Sequence, residues 1–417
     1  MPASTARARH ASSAARARHA SSAARAPHAS RAPRATRTAA LAALAAAVLT
    51  AGSLSTAQAR ARTAGDPHAR TRAAVDALVR DGAPGAVARA EGPGGSRVWT
   101  DTAGAGDLTT GRERDARDRF RIGSLTKTFV ATVLLQLEAE GRLSIDDRVE
   151  KWLPGVVRGH GHDGRKITLR RLLQHTSGVY SYTKDPEFVR ERLGIGFLEH
   201  RYDSLPARQL VEVAMGHAPD FEPGARWQYS DTNYILAGMV VEQATGRPYE
   251  SEIERRVIRP LTLRATSVPH DEPRMPRPAS RAYSKFSTDP AATKKYDVTE
   301  LNPTVAGAAG SMISSTADLI RFYRALLTGT LLPERQLKEM TTTVPVGDQF
   351  PGVGYGLGIF EQRLSCGRAL WSHTGEIYGS LTRAGTTRDG RQSLAVHLNG
   401  DWGRDAGAVF EAEFCPE

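Results

Sequence analysis

Strand-like runs near both ends of the chain, helical periodicity between them and an unbroken globular pattern from Asp66 onward predict an α/β domain, of the α+β kind, with a helical insertion at its middle. Residues 60–417 read as that one domain, the insertion spanning roughly 145–305, because no Ser/Gly linker and no second repeat divides them. Residues 69–80 open it with a helical pattern that Gly82-Ala83-Pro84-Gly85 stops. Two short strand-like runs follow at 86–90 and 97–102, split by the turn cluster Glu91-Gly92-Pro93-Gly94-Gly95. Residues 124–140 carry Leu125, Phe129, Val130, Val133, Leu134 and Leu137 at helical spacing until Gly141. Further helices are predicted at 168–175, 205–216, 232–245, 250–257 and 316–327. The last hundred residues turn strand-like at 356–360, 369–372, 379–382 and 393–398, and a helix over 404–414 closes the chain.

The chain has 417 residues and a formal charge of +11, but its basicity is local. Residues 1–59 hold eight Arg and no Asp or Glu, which leaves 48 basic against 45 acidic residues in the rest. A balance that even, with no zinc-finger, RNP or helix-turn-helix pattern, excludes a basic nucleic-acid groove as the organising feature.

The first 59 residues read as a low-complexity arm followed by a secretory signal. The arm contains ARARHASSA at 6–14 and again at 15–23. After Arg31, Arg34 and Arg37 an uncharged run carries Leu41, Leu44, Val48 and Leu49 and ends in Ala57-Gln58-Ala59, the small-residue pattern that signal peptidase reads. Cleavage is expected after Ala59. The competing reading is an uncleaved anchor, but Ala, Ser, Thr and Gly make the run weakly apolar for a spanning helix, so no stable membrane anchor is expected. Export to an oxidising compartment makes Cys366 and Cys415, the only two thiols, candidates for a disulfide, the alternative being two separate buried thiols.

Chemistry begins at Gly123-Ser124-Leu125-Thr126-Lys127. A serine hydroxyl attacks a carbonyl only when a base takes its proton, and a lysine one helical turn on shares its face. A lone S-x-x-K is weak; Ser181 to Lys184 is a decoy of the same spacing, but Pro186 follows it and no apolar helix does. Ser124 instead opens the longest apolar-periodic run. As a mere helix cap it would want Glu or Gln three residues later, whereas Lys127 opposes the helix dipole.

The second element is Tyr229-Ser230-Asp231, on a loop between Pro223-Gly224 and a helix. Such a tyrosine can shuttle a proton and such an aspartate can hold an ammonium; each could equally be a packing residue or an N-cap. The third is His373-Thr374-Gly375, at the end of an apolar strand run, where a glycine lets another backbone lie alongside. His160, His162 and Asp163 look ligand-like, but the surrounding Gly159, Gly161 and Gly164 argue against a metal site, and no cofactor is expected.

In that order and at that spacing, S-x-x-K, Y-S-D and H-T-G resemble the serine β-lactamases and the penicillin-recognising D-alanyl-D-alanine peptidases, most closely the secreted carboxypeptidase type and class C β-lactamases. Residues 118–123, 172–178, 229–238, 310–319 and 354–358 extend the likeness over nearly the whole mature chain. The resemblance implies an antiparallel sheet flanked by helices, an all-helical subdomain, and an active site in the cleft between them. It implies Ser124 as the acylated nucleophile, Lys127 and Tyr229 as managers of its proton, and His373, Thr374 and Gly375 with Asp231 and Glu376 as the substrate-binding rim. The backbone N–H groups of Ser124 and Glu376 would form the oxyanion hole. A disulfide between Cys366 and Cys415 fits the carboxypeptidase type. His175-Thr176-Ser177-Gly178 mimics the third motif but ends a helix, and is read as structural.

Two departures bear on substrate. Asp231 stands where the family usually has Asn, so its charge should favour a protonated Lys127 and make Tyr229 the base. Glu376 stands where the carboxypeptidases commonly place a hydroxyl for the substrate carboxylate, and Phe360 where they place an arginine. The resemblance therefore implies a secreted serine hydrolase, expected to be a monomer, acting on D-amino-acid peptides of the peptidoglycan stem type, with D-alanyl-D-alanine carboxypeptidase leading and β-lactams as inhibitors. D-aminopeptidase, D-endopeptidase and esterase activities are the alternatives, followed by β-lactamase and a non-catalytic penicillin-binding protein.

Overall fold

The computed structural model describes residues 66–415 except Thr288, Pro290, 348–350 and 404–405. The arm and signal expected at 1–59 lie outside the described residues. An eight-stranded antiparallel sheet forms the frame, from β1 (Gly85–Glu91), β2 (Trp99–Gly104), β3 (Val344–Pro345), β4 (Val353–Tyr355), β5 (Phe360–Arg363), β6 (Ala369–Ile377), β7 (Ser380–Thr386) and β8 (Ser393–Leu398). Its order is β2-β1-β8-β7-β6-β5-β4-β3, so the two ends of the chain meet in mid-sheet. The principal helices are α1 (Ala69–Arg80), α2 (Thr126–Ala139), α3 (Leu169–Leu173), α4 (Ala207–Met215), α5 (Thr232–Thr245), α6 (Thr316–Leu327) and α7 (Gly407–Phe414).

Both faces of the sheet are covered, and strand alternation decides which residue goes where. On β1 and β8, Ala86, Ala88, Leu394, Val396 and Leu398 join Val75 and Leu78 of α1 and Phe410 and Phe414 of α7 in one apolar cluster. Val87 and Ala395, one residue out of phase, point into the larger core with Phe322 of α6 and the helical region. Within 145–305 the helices lie between Val149 and Ile258, and 259–302 is loop among the described residues; two-residue strand pairs join 158–159 with 162–163 and 283–284 with 296–297.

Several elements differ from the sequence reading. The run at 124–140 splits into a 3-10 turn, Gly123–Leu125, and α2, which is buried on nearly every side rather than on one face. It lies between the sheet and the helical region, so its polar residues bond inward: Thr128 donates to the Gly358 carbonyl at 2.7 Å. α3 stops short of the predicted end because His175 adopts φ +60°. The run at 356–360 is a turn between β4 and β5, with Gly356 N–H donating to Ile359 O at 2.8 Å and Gly358 at φ +77°. β6 continues five residues past its predicted end and carries the H-T-G motif inside the strand. Residues 250–257 form a short α-helix, Tyr249–Ile253, continued by a π-helical turn over Glu254–Ile258.

Cys366 and Cys415 form a disulfide that ties the β5–β6 turn to the end of α7. Among the described residues no helix is long and apolar enough to cross a membrane.

Candidate active site

The 3-10 turn before α2 delivers the first pair. Lys127 is fully buried, and its Nζ lies 2.9 Å from Ser124 Oγ, 2.7 Å from Asp231 Oδ1 and 2.8 Å from the Ala309 carbonyl oxygen. An ammonium has three donors, and each finds an acceptor here. A neutral amine fits equally well, donating to Asp231 and Ala309 while accepting the Ser124 proton. Burial lowers the lysine pKa, and Asp231 opposes that shift without reversing it.

Asp231 precedes α5 but makes no side-chain cap bond; its carboxylate is committed to the cleft. Oδ2 accepts from Thr183 Oγ1 at 3.0 Å, and its backbone N–H donates to Ser181 Oγ at 3.0 Å. The decoy serine is thus a support for the aspartate. Lys184, the decoy lysine, turns outward to Asp220 at 2.7 Å.

Tyr229 is held by the His175 turn. Gln228 N–H donates to the His175 carbonyl at 2.9 Å and Ser230 N–H to His175 Nδ1 at 3.2 Å, which leaves the proton on Nε2. The two rings lie 4.2 Å apart between centroids. The left-handed backbone at His175 and its buried ring therefore brace the tyrosine loop from within. The Tyr229 hydroxyl faces Ser124 but makes no hydrogen bond of good geometry, leaving a buried polar atom without a partner at the cleft floor. Burial raises its pKa well above the usual phenol value, with the Asp231 charge adding to the effect. Burial thus disfavours the charged form of both groups, the ammonium of Lys127 and the phenolate of Tyr229.

On β6 the motif alternates. His373 is buried, its Nε2 3.1 Å from the Tyr355 hydroxyl and its ring 5.0 Å from that of Phe360. Burial drives its pKa down to about 3, so the ring is neutral. Thr374 and Glu376 are exposed. Gly375 admits no side chain, since a Cβ would stand 1.9 Å from the Ile122 carbonyl oxygen. Phe360 pairs with Ser372 on the neighbouring strand and packs on Tyr355.

The hairpin register fixes the direction of the Glu376 peptide. Ile377 and Ser380 close the two-residue turn, so Gly375 opposite Thr382 is the next hydrogen-bonded pair and Glu376 opposite Leu381 is not. The Glu376 N–H therefore points away from β7. β5 ends its pairing at Ser372, leaving that edge of β6 open to the turn carrying Ser124.

Ser124, Tyr229, Asp231 and Glu376 line a cleft of about 470 Å³ whose other walls include Leu193, Tyr378 and Asp401. Asp401, absent from the sequence reading, accepts from the Gly379 N–H at 2.9 Å. It follows β8 in a glycine-bearing loop with no periodicity to mark it. Among the described lining residues no arginine occurs, while three carboxyl groups do, one of them paired with Lys127. Although Glu376 is exposed as a residue, partial desolvation of its carboxyl at the cleft raises its pKa, and the nearby Asp401 raises it further. His160 and His162 lie apart from the cleft, His160 bonding the Met215 carbonyl, and among the described residues no group of three or more His, Cys, Asp or Glu could hold a metal ion.

Residues 71–409 match the protein-family model described as Beta-lactamase. The chain is similar to the crystal structure of a D-stereospecific amidohydrolase from Streptomyces sp., with 58% identity, a TM-score of 0.79, and coverage of 84% of this chain and 98% of that one. It is also similar to the D-amino acid amidase of Ochrobactrum anthropi SV3 complexed with D-phenylalanine, at 26% identity and a TM-score of 0.71, over 83% of this chain and 98% of that one. Among curated proteins, penicillin-binding protein 4* of Bacillus subtilis is 27% identical over 327 residues, 76% of this chain and 68% of the relative.

Proposed function

The chain belongs to the beta-lactamase family and is a serine hydrolase, and from that premise we propose that it cleaves amides and esters of D-amino acids bearing a free α-ammonium, through an acyl-enzyme on Ser124. Ser124 Oγ attacks the carbonyl as its proton passes to Lys127 Nζ, 2.9 Å away. Burial favours the neutral amine before the step, and Asp231 at 2.7 Å stabilises the ammonium after it. The new oxyanion is taken by the N–H groups of Ser124 and Glu376. Tyr229, kept as a phenol by burial, gives its proton to the leaving nitrogen as the C–N bond breaks. The Lys127 ammonium, 4.8 Å from the Tyr229 ring centroid, balances the phenolate. In deacylation water attacks the ester, the phenolate takes the water's proton, and Ser124 leaves with the proton held on Lys127.

The observation that carries the substrate class is the acidic cleft: Glu376 and Asp401 have no cation among the described lining residues and would meet an α-ammonium favourably and a terminal carboxylate unfavourably. The similarity to a D-stereospecific amidohydrolase supports the same class. D-alanyl-D-alanine carboxypeptidase activity on peptidoglycan stem peptides is the second reading, favoured by the likeness to penicillin-binding protein 4*. Acylation by β-lactams follows from either. Export after Ala59 fits the disulfide, which persists in oxidising compartments.

Intact-mass spectrometry of protein incubated with a D-phenylalanine ester, and with a penicillin, tests the acyl-enzyme. The expected adduct maps to Ser124 and is absent from Ser124→Ala; an adduct that persists in the variant overturns the assignment.

A further inference from the structure

Beneath the cleft a chain of buried polar groups joins three segments that are distant in sequence. Arg114 Nη2 lies 3.1 Å from His397 Nδ1, His397 Nε2 lies 2.9 Å from Ser380 Oγ, and Ser380 Oγ lies 2.6 Å from the Arg121 carbonyl oxygen. Proton directions are fully determined. A guanidinium only donates, so Nδ1 accepts; Nε2 then carries the ring proton and donates to Ser380; a carbonyl only accepts, so the Ser380 hydroxyl donates to Arg121. The pattern closes only with an uncharged imidazole. Burial and the neighbouring Arg114 hold the His397 pKa far below its ordinary value, and Phe120 stacks on the ring at 3.9 Å between centroids. Arg114 is itself buried and set 3.8 Å from Asp118.

The two ends of this chain matter for the reaction proposed above. Arg121 lies three residues before Ser124, and Ser380 closes the β6–β7 hairpin opposite Ile377, the residue after Glu376. The Ser380 hydroxyl therefore staples the segment leading to one oxyanion donor to the hairpin that carries the other. We propose that Ser380, oriented by His397, is a positioning residue that sets the spacing of the Ser124 and Glu376 N–H groups, and so acts on transition-state binding rather than on substrate affinity. The proposal rests on the hydrolase reading, but its readout is separate.

The test compares the methyl ester of D-phenylalanine with its thionoester, because a sulfur anion gains less than an oxyanion from fixed N–H donors. In Ser380→Ala, kcat for the oxygen ester is expected to fall ten- to hundredfold with KM changed less than threefold, while the thionoester loses less than threefold. Ser380→Thr, which keeps the hydroxyl and has a void of about 10 Å³ beside it for the added methyl, restores the oxygen-to-sulfur ratio. An unchanged kcat, or an equal loss on both esters, overturns the proposal. Should Ser380→Ala not fold, His397→Asn keeps an acceptor for Arg114 and withdraws the donor from Ser380; a three- to tenfold fall in the ratio is expected, and an unchanged ratio overturns the proposal. Wild-type turnover of the oxygen ester, recorded in the same assay, reports on the hydrolase reading by itself.

Discussion

Gly123 and Glu376 touch through their backbones: a Cβ on residue 123 would stand 2.7 to 2.9 Å from the carbonyl oxygen, nitrogen and carbon of Glu376. Gly123 also sits at φ +51°, where an L side chain is strained. Gly123→Ala is therefore expected to push the nucleophile turn off β6 and separate the two oxyanion donors. Loss of one such donor is worth about 10² to 10³ in rate, so acylation should slow about a hundredfold or more. Stopped-flow acylation checks this; a wild-type rate would mean that the two peptides do not act together.

Asp231→Asn removes the charge that raises the Lys127 pKa against burial. Lys127 acts as a base only when neutral, so activity rises with pH through its pKa. Lowering that pKa moves the acid limb of the kcat/KM profile to lower pH in the variant. A limb that stays in place would assign it to another group; His373, at about 3, titrates too low to set a limb near neutrality.

The Cys366–Cys415 bridge spans a sequence separation of 49. In the chain-entropy model a loop of that length contributes about 4 kcal/mol. Reduction should lower the melting temperature while leaving kcat nearly unchanged, since the bridge joins the β5–β6 turn to α7 and not to the cleft. Calorimetry with and without reductant, paired with an activity assay, is the check.

Glu376→Thr removes one of the two cleft carboxyl groups that face no cation among the described lining residues. Turnover of a peptide with a free D-Ala carboxylate should improve about tenfold relative to its C-terminal amide, a change of about 1.4 kcal/mol in transition-state binding. Because desolvation at the cleft raises both the Glu376 and Asp401 pKa values, their charge is lost at a higher pH than for ordinary carboxyls. KM for a cationic substrate should accordingly rise as pH falls toward the carboxyl range, and less so in the variant.

Elements with strong periodicity and a local stop signal were legible in the sequence: α1, α5, α6 and β8 have the bounds that their patterns predict. Ser124 and Lys127 were legible because one helical turn places both. What the sequence hid depends on tertiary placement. The glycine-rich run at 356–360 has a strand's composition but bends because Gly358 takes a left-handed conformation. Burial, which no local pattern reports, decides that Lys127 rather than Tyr229 holds the lowered pKa and that His373 faces inward. Asp401, Thr183 and the Ser380–His397 pair come from elements far apart in the chain, and none carries a motif of its own.

With Glu376 and Asp401 in its lining, the cleft is expected to select an α-ammonium and reject a terminal carboxylate. The most direct measurement is the wild-type ratio of kcat/KM for D-phenylalaninamide to that for N-acetyl-D-alanyl-D-alanine at neutral pH. A ratio of ten or more in favour of the amide is predicted; a preference for the dipeptide carboxylate would mean that the cleft accepts a terminal carboxylate and that the enzyme is a carboxypeptidase.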